Sequence, residues 1–369
     1  MDRSTVKIGL RTVELRQQAD SWGKSFEFVV NGRPIFAKGT NWIPADSFPS
    51  RMTGNRYRNL LRSCRDTHMN LIRVWGGGIY EDDEFYNLCD EMGLLVWQDF
   101  MFSCTLYPAD EAFLENVRQE AIDNVTRLRN HPCLALWCGN NEIETGWFDW
   151  GWRKKYPAQF WENYQRLFHE TLQEICARLD PVRPYWPSSP SSNQDDPPHS
   201  EKVGDVHFWG VWHADLPIEA FLQHTPRFLS EYGFQSLPVI DTLESFARPE
   251  NLSLNSPSLL AHQKDPKGNQ RILNYILRYY PRPKDFESLV YLSQVLQAQA
   301  IKIEAENLRQ NMPRSMGSLF WQFDDCWPAV SWSSVDYFGR WKALQYYAKR
   351  FYDNMLVGFR ETGGQIEVI

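Results

Sequence analysis

The sequence predicts an α/β protein, a (β/α)8 barrel with short β remnants of flanking sandwich domains at both ends. Three observations lead there. Eight short apolar runs alternate with amphipathic stretches over about 320 residues, the rhythm of a parallel sheet wrapped in helices. No G-x-G-x-x-G follows an early strand, so the competing doubly wound sheet lacks a dinucleotide-binding turn. Hydrophobic residues make up 43% of the 369-residue chain and charged residues 23%, a globular balance that excludes a disordered or fibrous chain.

In chain order, Thr5 to Leu15 alternates like a strand and Phe26–Val30 follows after a polar gap. Asn31-Gly32 then turns the chain tightly into Pro34–Gly39. Residues 1–25 read as the C-terminal remnant of a preceding β-domain. They are expected either to lie along the barrel wall or to pair with another copy. The barrel is expected over 26–355, and 356–369 as the start of a following β-domain. Barrel strands are expected at Ile35–Asn41, Asn70–Trp75, Leu94–Asp99, Cys133–Cys138, Pro184–Pro187, Val203–Phe208, Phe228–Glu231 and Met316–Trp321. Helices are expected at Asn55–Thr67, Glu84–Met92, Glu111–Arg129, Gln159–Leu179 and Phe286–Gln310, with a closing helix near Trp341–Tyr352. Residues 188–200 and 249–270, rich in Ser, Pro, Asn and Asp, read as loops.

Several functions are excluded. The formal net charge is −7, without the basic stripe of a nucleic-acid binder. No run approaches the roughly 18 apolar residues of a membrane span. Seven cysteines without a CxxC pair, and eight histidines without HxH or HExxH spacing, indicate neither a disulfide framework nor a zinc site; the thiols are expected to be mostly buried. Gly76-Gly77-Gly78 lacks the Lys-Ser/Thr of a phosphate-binding loop. Asp324-Asp325, without a third ligand nearby, reads as a turn or an arginine partner rather than a metal site. Asn124-Val125-Thr126 and Asn251-Leu252-Ser253 read as chance glycosylation sequons. No metal or cofactor is expected, and composition assigns neither compartment nor oligomeric state.

The positive signal is aromatic. Trp, Tyr and Phe reach 15% of the chain, with 16 Trp, and flat apolar rings with a polar handle suit stacking on sugar faces. In a barrel, catalytic groups sit at the carboxyl ends of strands. Strand two ends in Arg73-Val74-Trp75, and strand four runs into Asn140-Asn141-Glu142. Strand six ends near His207-Phe208-Trp209, strand seven in Glu231-Tyr232-Gly233, and strand eight in Trp321-Gln322. An isolated Glu at such a position is commonly an ion-pair partner. Two of them, Glu142 and Glu231, facing each other across the mouth inside aromatic segments, match the carboxylate pair of glycoside hydrolysis. Arg73, His207, Trp209 and Tyr232 complete the expected sugar-binding set.

At these residues the chain resembles the catalytic barrel of family 2 glycoside hydrolases, in the β-mannosidase branch. The matching segments are Lys38-Gly39-Thr40-Asn41-Trp42, Arg73-Val74-Trp75-Gly76-Gly77-Gly78, Trp137 to Glu142 and Phe320 to Pro328. The resemblance implies Glu142 as acid/base, Glu231 as nucleophile, and Asn141 on the sugar 2-hydroxyl. It implies Trp75, Trp150 and Trp321 around the −1 sugar, with a cis peptide between Trp321 and Gln322 laying that indole flat. It also implies a retaining exo-β-mannosidase that needs no cofactor, whose partners are a β-mannoside and flanking domains of a longer chain: a jelly roll and an immunoglobulin-like domain before the barrel, to which residues 1–25 would belong, and β-sandwiches after it. A sibling glycosidase (an endo-β-mannosidase on N-glycan cores or an exo-β-glucosaminidase) and an inactive sugar-binding barrel are the alternatives.

Overall fold

The structure, a computed structural model, describes residues 3, 7–194 and 196–369. Thr5 and Val6 of the expected first strand, and Asp195 in the 188–200 loop, lie outside these residues.

Eight parallel strands form one curled sheet: Ala37–Trp42, Leu71–Val74, Leu95–Asp99, Leu134–Cys138, Tyr185–Trp186, Val206–His207, Leu229–Glu231 and Gly317–Phe320. Strand one pairs with both strand two and strand eight, through Gly39 with Leu71 and Gly317 with Ala37, which is how the sheet wraps into a barrel. All eight overlap their expected positions. Strands five and six are only two residues each and form no ladder with each other. The barrel closes there through a bridge between Ser191 and Asp205. The Ser/Pro-rich connection between them carries no helix among the described residues, unlike the other crossovers.

The helices follow their sequence signals. Those over Gly54–Asp66, Asp83–Met92, Glu111–Leu128 and Phe286–Gln310 start at Thr53, Asp82, Asp110 and Asp285, whose side chains each accept a first-turn backbone N–H. The expected helix over 159–179 is interrupted by a π-helical stretch at Gln165–Thr171, because apolar spacing over so few residues does not separate an α turn from a π turn.

Alternation along the strands divides inside from outside. Ile72 and Val74 face the helices, while Leu71 joins the barrel interior with Ala37, Trp97, Ala135, Trp186 and Leu319. Arg73 and Asp99, two residues beyond Leu71 and Trp97, stand on top of this apolar floor.

The segment before the barrel corrects the expectation. Val13–Arg16 pairs antiparallel with Glu27–Val30, which turns through Asn31 (φ 51°) and Gly32 (φ 75°) into Arg33–Ile35. The expected boundary at residue 25 therefore falls inside one three-stranded sheet. Residues 7–12 are irregular rather than strand. The sheet lies across the barrel floor instead of along its wall. Phe26 stands 5.0 Å from Trp186 and 5.4 Å from Phe228, ring centre to ring centre, and Arg227 grips Asp20 at 2.5 and 3.0 Å. At the other end, Phe359–Thr362 and Gln365–Val368 make a hairpin. Among the described residues no helix is long and apolar enough to cross a membrane.

Candidate active site

The strand ends converge on a cavity of about 770 Å³ at the barrel mouth, lined by Trp75, Asn141, Glu142, Trp150, His207, Trp209, Glu231 and Trp321 among others. Eight of the ten expected site residues therefore meet in one place.

Arg73 organises the base of the site. It is fully buried and all five of its N–H groups are used. Nε and Nη2 donate to Asp99 at 3.3 and 2.8 Å, Nη1 donates to Glu231 Oε1 at 2.6 Å and Asn41 Oδ1 at 2.8 Å, and Nη2 also donates to Asn141 Oδ1 at 2.7 Å. Burial alone would lower the guanidinium pKa, and Asp99 and Glu231 more than offset it. Arg73 thus lies beneath the cavity rather than in its wall. This corrects its expected sugar contact: it reaches the site only through Glu231 and Asn141.

Glu142 follows strand four at the start of the short helix Ile143–Phe148, in the left-handed region (φ 59°), a costly backbone state for a residue with a Cβ, about 1–3 kcal/mol. Its N–H donates to the Ser189 carbonyl at 2.9 Å and its carbonyl accepts from Gly146 N at 2.8 Å. Cys104, also left-handed at φ 50°, sits beside it with Sγ 3.5 Å from Glu142 Oε2. The His207 ring stands between the two carboxylates. Its Nδ1 is 2.9 Å from Glu142 Oε1 and 3.4 Å from Glu231 Oε2.

One ligand atom from each of Glu142, His207 and Glu231 lies within 4.8 Å of the others. Asp90, His131 and Cys133 form a similar trio, held by His131 Nδ1 to Asp90 Oδ2 at 2.7 Å and by Cys133 N donating to Asp90 Oδ1 at 2.7 Å. Either trio has the donor types of a metal set. Both are already closed by hydrogen bonds among their own members.

Burial pushes both carboxyls above the ordinary range. For Glu142 the Cys104 thiol and Arg73 pull the other way, and for Glu231 the opposing groups are His207 and Arg73. Glu231 has the shorter, charge-assisted contact to Arg73 and is the better placed to ionise. Burial drives His207 well below the usual histidine value.

The aromatic walls have distinct local causes. Trp75 meets Trp321 edge to face at 5.0 Å, and the peptide from Trp321 to Gln322 is cis. A Cβ on Gly77 would stand 2.0 Å from the Trp75 ring, so the glycine run lets the chain fold over its own indole. Trp150, 46% exposed, stands at the rim rather than in the core. Tyr232 does not reach the cavity. It turns outward into the helix layer, where its hydroxyl meets Ser318 Oγ at 2.7 Å, since a strand cannot send consecutive side chains to the same face. Asp324 and Asp325 take the turn role, accepting from Ile43 N and from Ser333 Oγ.

Asn41, Asp99, Cys104, His199, His213 and Trp332 were absent from the expected set. Asp99 ends strand three and was findable by the strand-end rule applied to Glu142. His199 and Trp332 arrive on irregular segments, where sequence carries no positional signal.

Comparison with known proteins gives close relatives. The chain is 41% identical over 385 residues to a β-mannosidase of Capra hircus, a match covering 97% of this chain and 43% of that protein. It is 38% identical over 375 residues to β-mannosidase B of Aspergillus niger, covering 98% of this chain and 44% of the relative. Among solved structures, the β-D-mannosidase from Dictyoglomus thermophilum superposes with a TM-score of 0.93 at 44% identity, over 98% of this chain and 44% of that one. The exo-chitosanase of Amycolatopsis orientalis shares the fold at 17% identity and a TM-score of 0.76, over 98% of this chain and 42% of that one. No family model matches. The chain thus spans less than half the length of these relatives, and over that span it belongs to the β-mannosidase branch of glycoside hydrolase family 2.

Proposed function

We propose that this barrel carries the catalytic centre of a retaining exo-β-mannosidase acting on terminal, non-reducing β-D-mannose. Glu231 attacks the anomeric carbon while Glu142 protonates the departing oxygen. Water then hydrolyses the glycosyl-enzyme, with Glu142 acting as base. The observation that carries the reading is the carboxylate spacing: oxygens of Glu142 and Glu231 within 4.8 Å, with one imidazole nitrogen between them. Retaining pairs stand about 5–5.5 Å apart, whereas inverting pairs leave about 6.5–9.5 Å for a water. Asn141, with its Oδ1 held by Arg73, is positioned for the sugar 2-hydroxyl, and Trp75 and Trp321 for the faces of the −1 ring. In this reading, flanking β-domains of a longer chain add walls to the site.

The test is turnover of p-nitrophenyl β-mannoside, ranked against the β-galactoside, β-glucuronide and β-glucosaminide, beside a Glu231→Ala control. Proton NMR of the first-formed sugar supplies the stereochemistry. Fastest cleavage of the mannoside with β-mannose released first is expected. α-Mannose as the first product overturns the nucleophile assignment, a faster glucosaminide reassigns the substrate, and no turnover by a folded chain that binds mannose makes it a sugar-binding barrel.

A further inference from the structure

His207 joins the carboxylate pair to a buried cluster that the proposed reaction does not itself use. On the side away from Glu142, its Nε2 lies 3.0 Å from Ser189 Oγ, and that hydroxyl donates to Asp205 Oδ2 at 2.6 Å. Asp205 also accepts from Ser230 Oγ at 2.5 Å, Trp186 Nε1 at 2.9 Å and Ser191 N at 3.0 Å. Ser189 and Asp205 are fully buried.

Proton counting along this line decides which atoms carry hydrogen. Ser189 has one hydroxyl hydrogen, and the carboxylate of Asp205 takes it. Ser189 Oγ is then an acceptor towards His207, so the ring hydrogen belongs on Nε2. Burial keeps the imidazole neutral, which leaves Nδ1 as a bare lone pair facing Glu142 Oε1 at 2.9 Å and Glu231 Oε2 at 3.4 Å. A lone pair against an ionised carboxylate is repulsive. The close contact is satisfied when Glu142 is protonated and its O–H donates to Nδ1.

We propose that Asp205 and Ser189 are positioning residues that fix the Nε2–H tautomer of His207, so that its Nδ1 holds the proton of Glu142 in the resting site. This rests on the reading of Glu142 as the acid. When substrate arrives, the glycosidic oxygen competes with Nδ1 for that hydrogen. The other titratable or charged groups facing this pair are Arg73, Cys104, His199, His213 and Glu231, and all remain in a Ser189→Ala variant.

Without the Ser189 hydroxyl, His207 is free to move its hydrogen to Nδ1 and donate to an ionised Glu142. That replaces a bond favouring the acid form by a charge-assisted bond favouring the carboxylate. The alkaline limb of kcat/KM on an aryl β-mannoside, which reports the free enzyme, is expected to fall by about one pH unit, roughly tenfold in proton affinity. Ser189→Thr, which keeps a hydroxyl, is expected to leave the limb in place. Nitrogen-15 NMR of histidine-labelled protein, with the His207 signal assigned by its loss in His207→Gln, is expected to show Nε2 protonated in the unsubstituted chain. An Nδ1-protonated ring there overturns the proposal, as does an alkaline limb unmoved in a folded Ser189→Ala. The NMR measurement needs no turnover, so it stands apart from the glycosidase reading, which fails instead if no aryl glycoside is cleaved.

Discussion

Replacing Arg73 by lysine keeps the positive charge and removes the fork. The guanidinium makes five contacts to four residues, using all five of its N–H groups. Lysine offers three donors on a single nitrogen, so at least two contacts are lost, and one ammonium cannot span Asp99 on one side and Glu231 on the other. Hydrogen bonds to charged groups are worth about 1.5–3 kcal/mol each. Because Arg73 is fully buried, water replaces none of them. The expected loss is about 3–6 kcal/mol of folding stability, a large part of the 5–15 kcal/mol typical of a domain. Glu231 also loses its closest cation. Its carboxyl, already raised by burial, moves higher, and the acid limb of kcat/KM shifts to higher pH. Urea unfolding followed by tryptophan fluorescence measures the first effect, and a pH profile on p-nitrophenyl β-mannoside measures the second. A stability loss below about 1 kcal/mol together with an unmoved acid limb would refute the claim that the fork holds the base of the site.

Further outcomes are expected. Glu142→Gln should lose the alkaline limb of kcat/KM and slow the reaction by roughly 10²–10⁴-fold; a limb that persists removes Glu142 as the acid. Gly77→Ala places a methyl group 2.0 Å from the Trp75 ring and should cut kcat/KM about tenfold with little change in Tm; an unchanged kcat/KM means Trp75 does not touch the sugar. Glu144 is buried, its Oε2 has no hydrogen-bond partner among the described residues, and burial pushes its carboxyl up to about 7. The folded state therefore holds that proton more tightly than the unfolded chain does. The corresponding stability is present below the unfolded value near 4.5 and is lost as pH rises through about 7. Glu144→Gln should gain about 3 kcal/mol at pH 8 and almost nothing at pH 4, by urea unfolding; equal effects at both pH values would show that folding does not raise the Glu144 carboxyl.

The barrel was legible because its signals are local. Each strand is a short apolar run, and the strands appear where the runs stand, from Leu71–Val74 to Gly317–Phe320. Capping residues such as Asp110 and Asp285 mark helix starts within a residue, since a cap acts only on the turn it begins. Glu142, Glu231, Trp75 and Trp321 were findable because a parallel barrel sends every strand's carboxyl end to one mouth. What the chain alone left open depends on side chains meeting from distant segments. Whether Tyr232 or Glu231 faces the cavity turns on the direction of one strand's final residues, and composition is blind to it. Arg73 was assigned to the sugar because it ends a strand. Only the packed barrel shows Asp99, Asn41, Asn141 and Glu231 closing over all its donors. The sheet that spans residue 25 was hidden for the same reason, since pairing between Val13–Arg16 and Glu27–Val30 is a choice of partner and register. Sequence periodicity determined the elements and which strand ends meet at the barrel mouth. Partner, register and the ownership of each buried proton were decided by tertiary contact, because those free energies belong to pairs of groups and not to either residue alone.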